Sequence, residues 1–398
     1  MARPNMWKLN PMDFTKMTPT RQAKIEAAPA AALPATDSYK PNQLAKALHP
    51  GKQHVKVVKI EEEAGNCKRY YLAPDPEKGT QALAWFSAGQ YLSVTLKIGN
   101  MTLTRPYSIA SSPREALSGF YMLTIQKVEG GLASQFIHDN WQVGTEVTVS
   151  EPLGNFTYEP LRDAATVVAV VGGSSITPFR SLAKAIADGD EDANLVLIYG
   201  SRTLADTMFQ QDLKELEEKC DRIKLVNVFS DEELEGYEHG FITADLIRKY
   251  APEGEYSIFV CGPQVMRKFV DKEIETLGLR KKFIRNELFG EYFGPAKEAD
   301  YPEHVAPAFR VTVRIAGTEQ TITAPSDVSL LRSLEANGIA APAHCRSGEC
   351  GWCHSKLVSG EVYTPKSVDG RREADFLYGY IHPCCSFPLS DLVIEVPP

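Results

Sequence analysis

The chain has 398 residues, 43% of them hydrophobic and 24% charged, a composition typical of a folded protein with two or three domains. Its formal net charge of −8 argues against a general nucleic-acid-binding protein, which would carry a basic surface. We find no apolar run near the roughly 20 residues of a membrane span and no apolar stretch of a secretory signal. We therefore expect a cytoplasmic protein whose eight cysteines serve metal or redox chemistry rather than disulfides.

The N-terminal part, residues 1–51, shows no chemical motif and is interpreted as a tail with an Ala/Pro-rich linker at residues 27–36. From residue 52 to residue 160 the pattern changes to short β-rich runs separated by turn residues. This rhythm predicts an antiparallel sandwich or barrel. The runs are HVKVVKI, QYLSVTL, YMLTIQKV and EVTVS.

Residues 161–293 alternate between continuous apolar runs and helical stretches. Strands that are buried on both faces need such runs, and βαβ alternation predicts a mainly parallel sheet. The apolar runs are TVVAVVGG, NLVLIYGS, IKLVNVFS and YSIFVCGP, and two of the helical stretches are FRSLAKAIAD and DTMFQQDLKELEEK.

A Pro/Ala-rich polar segment at residues 294–306 predicts a linker, and residues 307–398 form a third module. Its cysteines follow the pattern C-x4-C-x2-C, with thirty residues before the next cysteine. This spacing matches a plant-type [2Fe–2S] site, and glycines in the loop supply the backbone freedom to wrap a cluster. A structural zinc site is the alternative, although zinc ligands usually come in two separate pairs. The four cysteines are Cys345, Cys350, Cys353 and Cys384.

The third module resembles a plant-type ferredoxin, which has a β-grasp fold. In that family the fourth ligand precedes a proline by four positions, which favours Cys384 before Pro388 over its neighbour Cys385. A Rieske site is discounted, because the two histidines of the loop flank cysteines instead of replacing them. Trp352 stands where the family usually has a small residue, and it is open to three interpretations: shielding the cluster, docking a partner or simple packing.

The segment RPYS, residues 105–108, resembles the RxYS motif of the ferredoxin–NADP reductase superfamily. In that family the arginine meets the flavin phosphate, the tyrosine packs on the isoalloxazine ring and the serine bonds near N5. Alone, RPYS would also fit an ordinary strand-to-turn segment, but EGGLASQFIHDN at 129–140 resembles the family's GGxxS turn and favours FAD over FMN. The implied flavin contacts are Arg105, Pro106, Tyr107, Ser108, Gly131 and Ser134, with main-chain contacts at Thr124, Ile125 and Gln126.

The segment VVAVVGGSSITPFRSL, residues 167–182, reads as strand, glycine turn and helix, as a mononucleotide-binding unit requires. It resembles the family's GxGxTP signature, although Ser175 stands where a glycine is usual. Arg202 closes the segment YGSR after a buried strand, where it could pair with a 2′-phosphate and favour NADPH, stack on adenine or contact the pyrophosphate. The implied nucleotide contacts are Gly172, Gly173, Thr177, Pro178 and Arg202.

Two further segments resemble this family. VCGPQVM at 260–266 matches its CGPxxM motif, whose cysteine lies near the nicotinamide, and NELF at 286–289 resembles its ExF ending, near the flavin edge. A buried structural cysteine is the alternative for Cys261. The implied nucleotide contacts here are Cys261, Gly262 and Pro263. The residues implied to orient hydride transfer are Ser108, Thr177, Cys261 and Glu287.

The order flavin, nicotinamide, ferredoxin resembles the phthalate dioxygenase reductase-like branch over residues 52–398. A nicotinamide moves two electrons as hydride and a [2Fe–2S] centre takes one at a time, so a flavin must stand between them. We therefore expect an NAD(P)H-dependent iron–sulfur flavoprotein reductase that serves a redox protein partner, an oxygenase component first. A non-oxygenase acceptor, such as an anaerobic reductase or a corrinoid activator, and a redox-sensing protein without turnover are the alternatives.

Overall fold

A computed structural model of the protein describes residues 11–27, 36–288 and 290–398. The chain divides into two compact units, Met1–Ala47 and Leu48–Pro398. Helix α1 spans Pro11–Ala27 and α2 spans Lys40–Leu48, where the sequence predicted no helix. Most of the linker predicted at 27–36 lies outside the described residues.

The first sheet of the larger unit has six antiparallel strands, β1 Lys52–Glu63, β2 Cys67–Pro74, β3 Tyr91–Ile98, β4 Met101–Ser108, β5 Tyr121–Gln126 and β6 Glu146–Ser150. They lie in the order β4–β3–β6–β1–β2–β5. A bridge between Ile109 and Leu123 joins the chain after β4 to β5, so the sheet closes into a barrel. Helices α3, Pro113–Leu117, and α4, Leu132–Asn140, accompany it.

The second sheet has six parallel strands, β7 Thr166–Gly172, β8 Asn194–Ser201, β9 Ile223–Phe229, β10 Glu238–His239, β11 Ser257–Gly262 and β12 Ile284–Leu288. Their order is β10–β9–β8–β7–β11–β12. The connecting helices are α5 Thr177–Ala187, α6 Gln210–Lys219, α7 Ala244–Tyr250 and α8 Gln264–Glu275.

Strand β7 shows why its run of apolar residues is continuous. Val167, Ala169 and Val171 pack into one hydrophobic core, while Val168 and Val170 pack into another. Side chains alternate between the two faces of a strand, so a strand covered on both faces needs apolar residues at every position. The carboxyl ends of β7, β8 and β11 open toward one cavity, as is usual for ligand sites in parallel sheets.

The C-terminal sheet has the strands β13 Ala308–Ile315, β14 Thr318–Pro325, β15 Ser355–Ser359, β17 Tyr380–Ile381 and β19 Leu392–Glu395, in the order β14–β13–β19–β15–β17. β16 Val362–Tyr363 and β18 Phe387–Pro388 form a separate pair, and helices α9 Leu330–Ala336 and α10 Glu373–Leu377 complete the domain. β13 pairs in parallel with β19 and antiparallel with β14. The three sheets confirm the predicted fold class: an antiparallel barrel, a parallel α/β domain and a β-grasp domain.

One helix begins later than its sequence suggested. DTMFQQDLKELEEK predicts a helix from residue 206, but α6 starts at Gln210 because Phe209 has a left-handed backbone, with φ 55°. Thr203 instead caps a short turn by accepting a hydrogen bond from the Asp206 amide. In the described ranges we find no helix with the length and apolar character needed to cross a bilayer.

Candidate functional site

A cavity of about 620 Å³ lies beside the end of β4, the end of β5 and the start of α4. It brings together seven of the nine predicted flavin contacts. The other two lie next to it: Ser108 lines a smaller neighbouring cavity, and Ile125 is buried with its carbonyl bound to His138 at 2.7 Å. The seven residues that line the large cavity are Arg105, Pro106, Tyr107, Thr124, Gln126, Gly131 and Ser134.

The glycine turn before α4 leaves space for an anion. A Cβ atom at Gly131 would lie 2.8 Å from the Ser134 hydroxyl and 3.0 Å from the Val128 side chain, so the position needs glycine. The Ser134 hydroxyl accepts a hydrogen bond from the Val128 amide at 3.1 Å. The first amides of a helix have no partner inside the helix, and they suit phosphate groups. The turn therefore fits the pyrophosphate of FAD.

A second cavity, of about 1010 Å³, lies at the carboxyl ends of the parallel strands. Gly172, Gly173, Arg202 and Pro263 line it. Gly173 has a φ of 55°, a conformation that glycine adopts without strain. A Cβ atom at Gly172 would lie 2.3 Å from the sulfur of Met266, which explains why the glycine turn and the methionine of CGPQVM occur together.

The flavin and nucleotide cavities share three wall residues, Gln126, Ser174 and Pro263. Ser174 and Ser175 carry no predicted role, yet both line the flavin cavity. Ser175 stands where the family usually has glycine. Its side chain therefore lies at the flavin cavity, near the wall where the two ligands would meet.

Four predicted nucleotide contacts lie behind the walls of these two cavities. Thr177 is buried and donates a hydrogen bond to the Ser174 carbonyl at 3.3 Å, and Pro178 is buried in the first turn of α5. Cys261 is fully buried, 4.0 Å from the Glu287 carboxylate, and burial followed by the Glu287 charge raises the pKa of its thiol. Gly262 is buried against Met266. These residues shape the walls of the cavities.

The predicted cluster ligands converge in the C-terminal domain. The sulfur atoms of Cys353 and Cys384 lie 3.4 Å apart, and the thiols of Cys350 and Cys384 hydrogen-bond to the Cys345 sulfur and lower its pKa. Main-chain amides also point at these sulfurs: those of Ser347 and Cys350 donate to Cys345 at 3.5 and 3.3 Å. Converging thiols that accept amide hydrogen bonds fit an iron–sulfur cluster.

The neighbouring cysteine and the tryptophan of the cysteine loop have other contacts. The Cys385 thiol donates to the His382 carbonyl at 3.5 Å, and its side chain also contacts the Cys384 thiol. Trp352 leaves 58% of its surface exposed and packs against His344, with ring centres 4.5 Å apart. Among the described residues, no three His, Cys, Asp or Glu side chains surround a single metal ion. The cluster assignment therefore rests on the spacing of the thiols and on the comparisons below.

A small cavity of about 20 Å³ is lined by residues of both the flavin side and the cluster side. Ser108, Glu287 and Cys345 all line it, together with Tyr91. Burial, followed by the charges of Glu349 and Cys345, raises the pKa of Glu287 well above its usual value. Phe289, the last residue of the predicted NELF ending, lies outside the described residues. Cys345 is thus the proposed ligand that faces the flavin site.

Sequence reasoning missed the charged residues that close the flavin cavity from the C-terminal side. Glu291 follows β12, Arg332 and Glu335 lie on α9, and Arg346 lies in the cysteine loop. They belong to no motif and are up to 55 positions apart. The one available signal was Arg346, a long cation between the cysteines of a loop otherwise rich in small residues.

Three family models match the chain in consecutive order. An oxidoreductase FAD-binding domain matches residues 54–158, an oxidoreductase NAD-binding domain matches residues 169–272, and a 2Fe-2S iron-sulfur cluster binding domain matches residues 313–389. The last match decides for a [2Fe–2S] cluster over zinc.

Two relatives and one solved structure align with this chain over most of their own length. The glycine betaine monooxygenase reductase subunit of Chromohalobacter salexigens is 27% identical over 87% of this chain and 95% of its own. The ferredoxin reductase component of 3-ketosteroid-9-alpha-monooxygenase from Mycobacterium tuberculosis is 31% identical over 80% of this chain and 87% of its own. The structure of phthalate dioxygenase reductase superposes with a TM-score of 0.63 and 25% identity, covering 87% of this chain and 98% of its own.

Fold, cavities, thiols and comparisons agree with the predicted function. The chain belongs to the ferredoxin–NADP reductase superfamily, in the phthalate dioxygenase reductase-like arrangement with a C-terminal [2Fe–2S] domain, and it is an NAD(P)H-dependent iron–sulfur flavoprotein reductase.

Proposed function

We propose that this reductase delivers electrons from NAD(P)H to the oxygenase component of a two-component oxygenase. The names of two relatives support this, because each is the reductase part of a monooxygenase. We also propose a cytoplasmic location, because free thiols persist in a reducing compartment. The cysteines outside the proposed cluster site are free thiols: Cys67, Cys220, Cys261 and Cys385.

The nucleotide cavity and the flavin cavity are proposed to hold their ligands face to face. Gly172 and Gly173 would hold the pyrophosphate of the nucleotide, while Gln126, Ser174 and Pro263 form the wall common to both ligands. Thr177 and Cys261 support this wall from behind. Such positioning aligns the reacting atoms, and the residues themselves supply no acid, base or nucleophile.

The flavin is proposed to lie with its phosphate near Arg105, its ring on Tyr107 and its N5 edge near Ser108 and Glu287. A bound flavin takes two electrons from the nicotinamide and releases them one at a time to the cluster. Glu287 remains protonated to a higher pH than an ordinary carboxyl group, so it could donate a hydrogen bond at that edge. Cys345, Cys350, Cys353 and Cys384 are the proposed cluster ligands.

The observation that carries the proposal is the small cavity that Ser108 and Cys345 line together. This shared lining supports a flavin edge close to a cluster ligand within one compact unit. Transfer between the two centres would therefore need no long-range movement of the domains.

An anaerobic titration with NADH, and separately with NADPH, tests the internal part of this path. Flavin absorbance should bleach first, and the EPR signal of a reduced [2Fe–2S] centre should follow. Bleaching without an iron signal would contradict the proposed route to the cluster.

The partner is tested by coupled turnover with a purified Rieske or di-iron oxygenase component. Trp352 provides a specific variant, because its exposed ring beside the cysteine loop is available to a partner. Trp352→Ala should slow oxygenase turnover and leave cluster reduction by NAD(P)H unchanged. If the wild-type protein reduces its cluster but transfers no electrons to any such oxygenase, the acceptor belongs to another class.

A further inference from the structure

The flavin cavity is lined by residues of two domains. The flavin domain contributes Arg105 and the turn before α4. The C-terminal domain contributes Arg332, Glu335 and Arg346. We propose that the C-terminal domain supplies part of the FAD phosphate site, with Arg332 as a second phosphate-binding arginine and Arg346 as the residue that positions the network. The proposal rests on this cavity being the flavin site.

Arg346 is the centre of the network. Its side chain is fully buried, and it forms a two-pronged ion pair with Glu335, with distances of 2.7 and 2.8 Å. Its Nε donates to Glu291 at 2.5 Å, and its Nη1 donates to the Thr104 carbonyl of β4 at 3.2 Å. Its backbone has a φ of 59°, a strained conformation for a residue with a side chain. The Thr104 contact joins the cysteine loop to the flavin domain, and the Glu291 contact joins it to the segment after β12.

Arg105 and Arg332 share the same carboxylates. Arg105 lies 3.6 Å from Glu335 and 3.9 Å from Glu291, and Arg332 lies 3.5 Å from Glu291. Burial and the nearby Arg346 charge lower the pKa of Arg105. Neither arginine holds a carboxylate in a close two-pronged pair, in contrast to Arg346.

The network therefore has three arginines and two glutamates. The cavity is also lined by Glu129, and both Glu129 and Arg332 are exposed to solvent. The less exposed residues, Arg105 and Arg346 with Glu291 and Glu335, balance in charge. The extra cation of the network, Arg332, lines the cavity at its solvent-exposed rim, where it can donate charged hydrogen bonds to an anionic ligand. The FAD phosphates supply that anion, and Arg105 and Arg332 are the two cations with free donors.

Reciprocal coupling follows from this arrangement. If FAD phosphate contacts arginines of both domains, then FAD binding strengthens the docking of the C-terminal domain, and docking strengthens FAD binding by the same factor. Only a flavin that carries phosphate would show this effect.

The test compares FAD, FMN and riboflavin as ligands of the full-length protein. Protein that retains its cluster is dialysed free of flavin, and binding is followed by the quenching of flavin fluorescence. Arg332→Ala should weaken FAD and FMN binding about tenfold, the value of one charged hydrogen bond, and leave riboflavin binding unchanged. The matched control is Arg314→Ala, because Arg314 is 45% exposed against 43% for Arg332, and it lies on β13 in an ion pair with Glu319. The control should bind all three flavins as the wild type does.

Arg105→Ala tests whether the cavity is the flavin site, separately from whether the C-terminal domain contributes a phosphate ligand. If Arg105→Ala weakens FAD binding and Arg332→Ala does not, the cavity is the flavin site but the C-terminal domain contributes no phosphate ligand, which overturns the inference. If neither variant weakens FAD binding, the cavity is not the flavin site and the proposed function of these residues fails as well. An equal loss of riboflavin binding in Arg332→Ala would also overturn the inference, because riboflavin has no phosphate.

Discussion

The sulfur of Cys384 lies 3.4 Å from that of Cys353, whereas the adjacent Cys385 donates its thiol to the His382 carbonyl. Cys384 thus contacts the sulfurs of two other proposed ligands, Cys353 and Cys345, whereas Cys385 contacts the thiol of Cys384. This geometry supports Cys384 as the fourth cluster ligand.

Serine variants of Cys384 and Cys385 test which of the two cysteines binds the cluster. Cys384→Ser should abolish the absorbance and the EPR signal of the reduced cluster, because the hard oxygen of serine is a poor replacement for a thiolate. Cys385→Ser should retain both signals and serves as the control. If Cys385→Ser loses the cluster and Cys384→Ser keeps it, the assignment is reversed.

Gly348 should be indispensable to the cysteine loop. Its φ is 84°, and a Cβ atom there would lie 2.0 Å from the main-chain carbonyl of Val368. Gly351→Ala is a matched control with the same type of strain, since Gly351 has a φ of 70° but no atom closer than 3.8 Å. We expect Gly348→Ala to lose most of its bound iron and Gly351→Ala to keep it with a stability loss of about 1 kcal/mol. Iron content per chain and thermal unfolding measure both, and equal iron content in the two variants would contradict the steric argument.

Arg202 should not favour NADPH in the wild-type protein. Its Nε donates to Asp231 at 2.8 Å, and Asp206 adds a second negative charge to the same cavity. These carboxylates should repel a 2′-phosphate, so we expect NADH to be the better donor.

Removal of one carboxylate should shift that preference. Asp231→Ala should raise kcat/KM for NADPH relative to NADH by about tenfold, because Arg202 becomes free to bind the 2′-phosphate. Asp245→Ala, which breaks an exposed ion pair with Arg248 on α7, is the control. An unchanged ratio in Asp231→Ala would show that Arg202 does not reach the 2′ position.

Glu291 should make the stability of the protein sensitive to acid. Burial alone would raise the pKa of Glu291, but the charges of Arg346 and Arg105 bring it below the ordinary value of 4.5. A carboxyl group whose pKa is lowered by folding stabilises the protein above its unfolded pKa, and this stabilisation disappears as the pH falls through the folded value. The loss should therefore occur below about pH 4.5.

The variant Glu291→Gln isolates this contribution. It should be about 2 kcal/mol less stable at pH 7, the worth of a charged hydrogen bond, and its thermal midpoint should fall less steeply below pH 4.5. Glu319→Gln, at an exposed ion pair on β14, should follow the wild-type curve. Parallel curves for Glu291→Gln and the wild type would show that the Glu291 charge does not stabilise this contact.

The elements that could be predicted are those whose signal is local. The cysteine spacing, the glycine turns and the continuous apolar strands each lie within a short window, and the structure brings them together as expected. Strand β2 was missed, because Lys68 and Arg69 interrupt its apolar pattern and only Cys67, Tyr70 and Leu72 face the interior. The start of α6 was missed because a left-handed backbone at Phe209 has no propensity signal.

The charged residues around the flavin cavity could not be predicted for a different reason. Glu335 and Arg346 pair within the C-terminal domain, but Arg346 meets Glu291 only when that domain lies against the segment after β12, and each residue alone resembles an ordinary surface charge. The contacts of Arg346 with Glu291 and with Thr104 depend on docking between domains, which a single sequence does not encode in any short pattern. For Thr177 and Cys261 the situation is reversed. Their motifs can be recognised in the sequence, but their side chains lie behind the cavity wall, which the sequence did not predict.

The hydroxyl of Thr104 donates to the carbonyl of Ala343 at 2.7 Å, across 239 positions of sequence. During translation, the barrel can fold long before the cysteine loop leaves the ribosome, because domains generally fold as units from the N-terminus. This contact can form only after the third domain has been synthesised. Nascent chains should therefore pass through a stage in which the flavin-binding face of the barrel is exposed, and the joining of the two redox centres is a late event in the biogenesis of the protein.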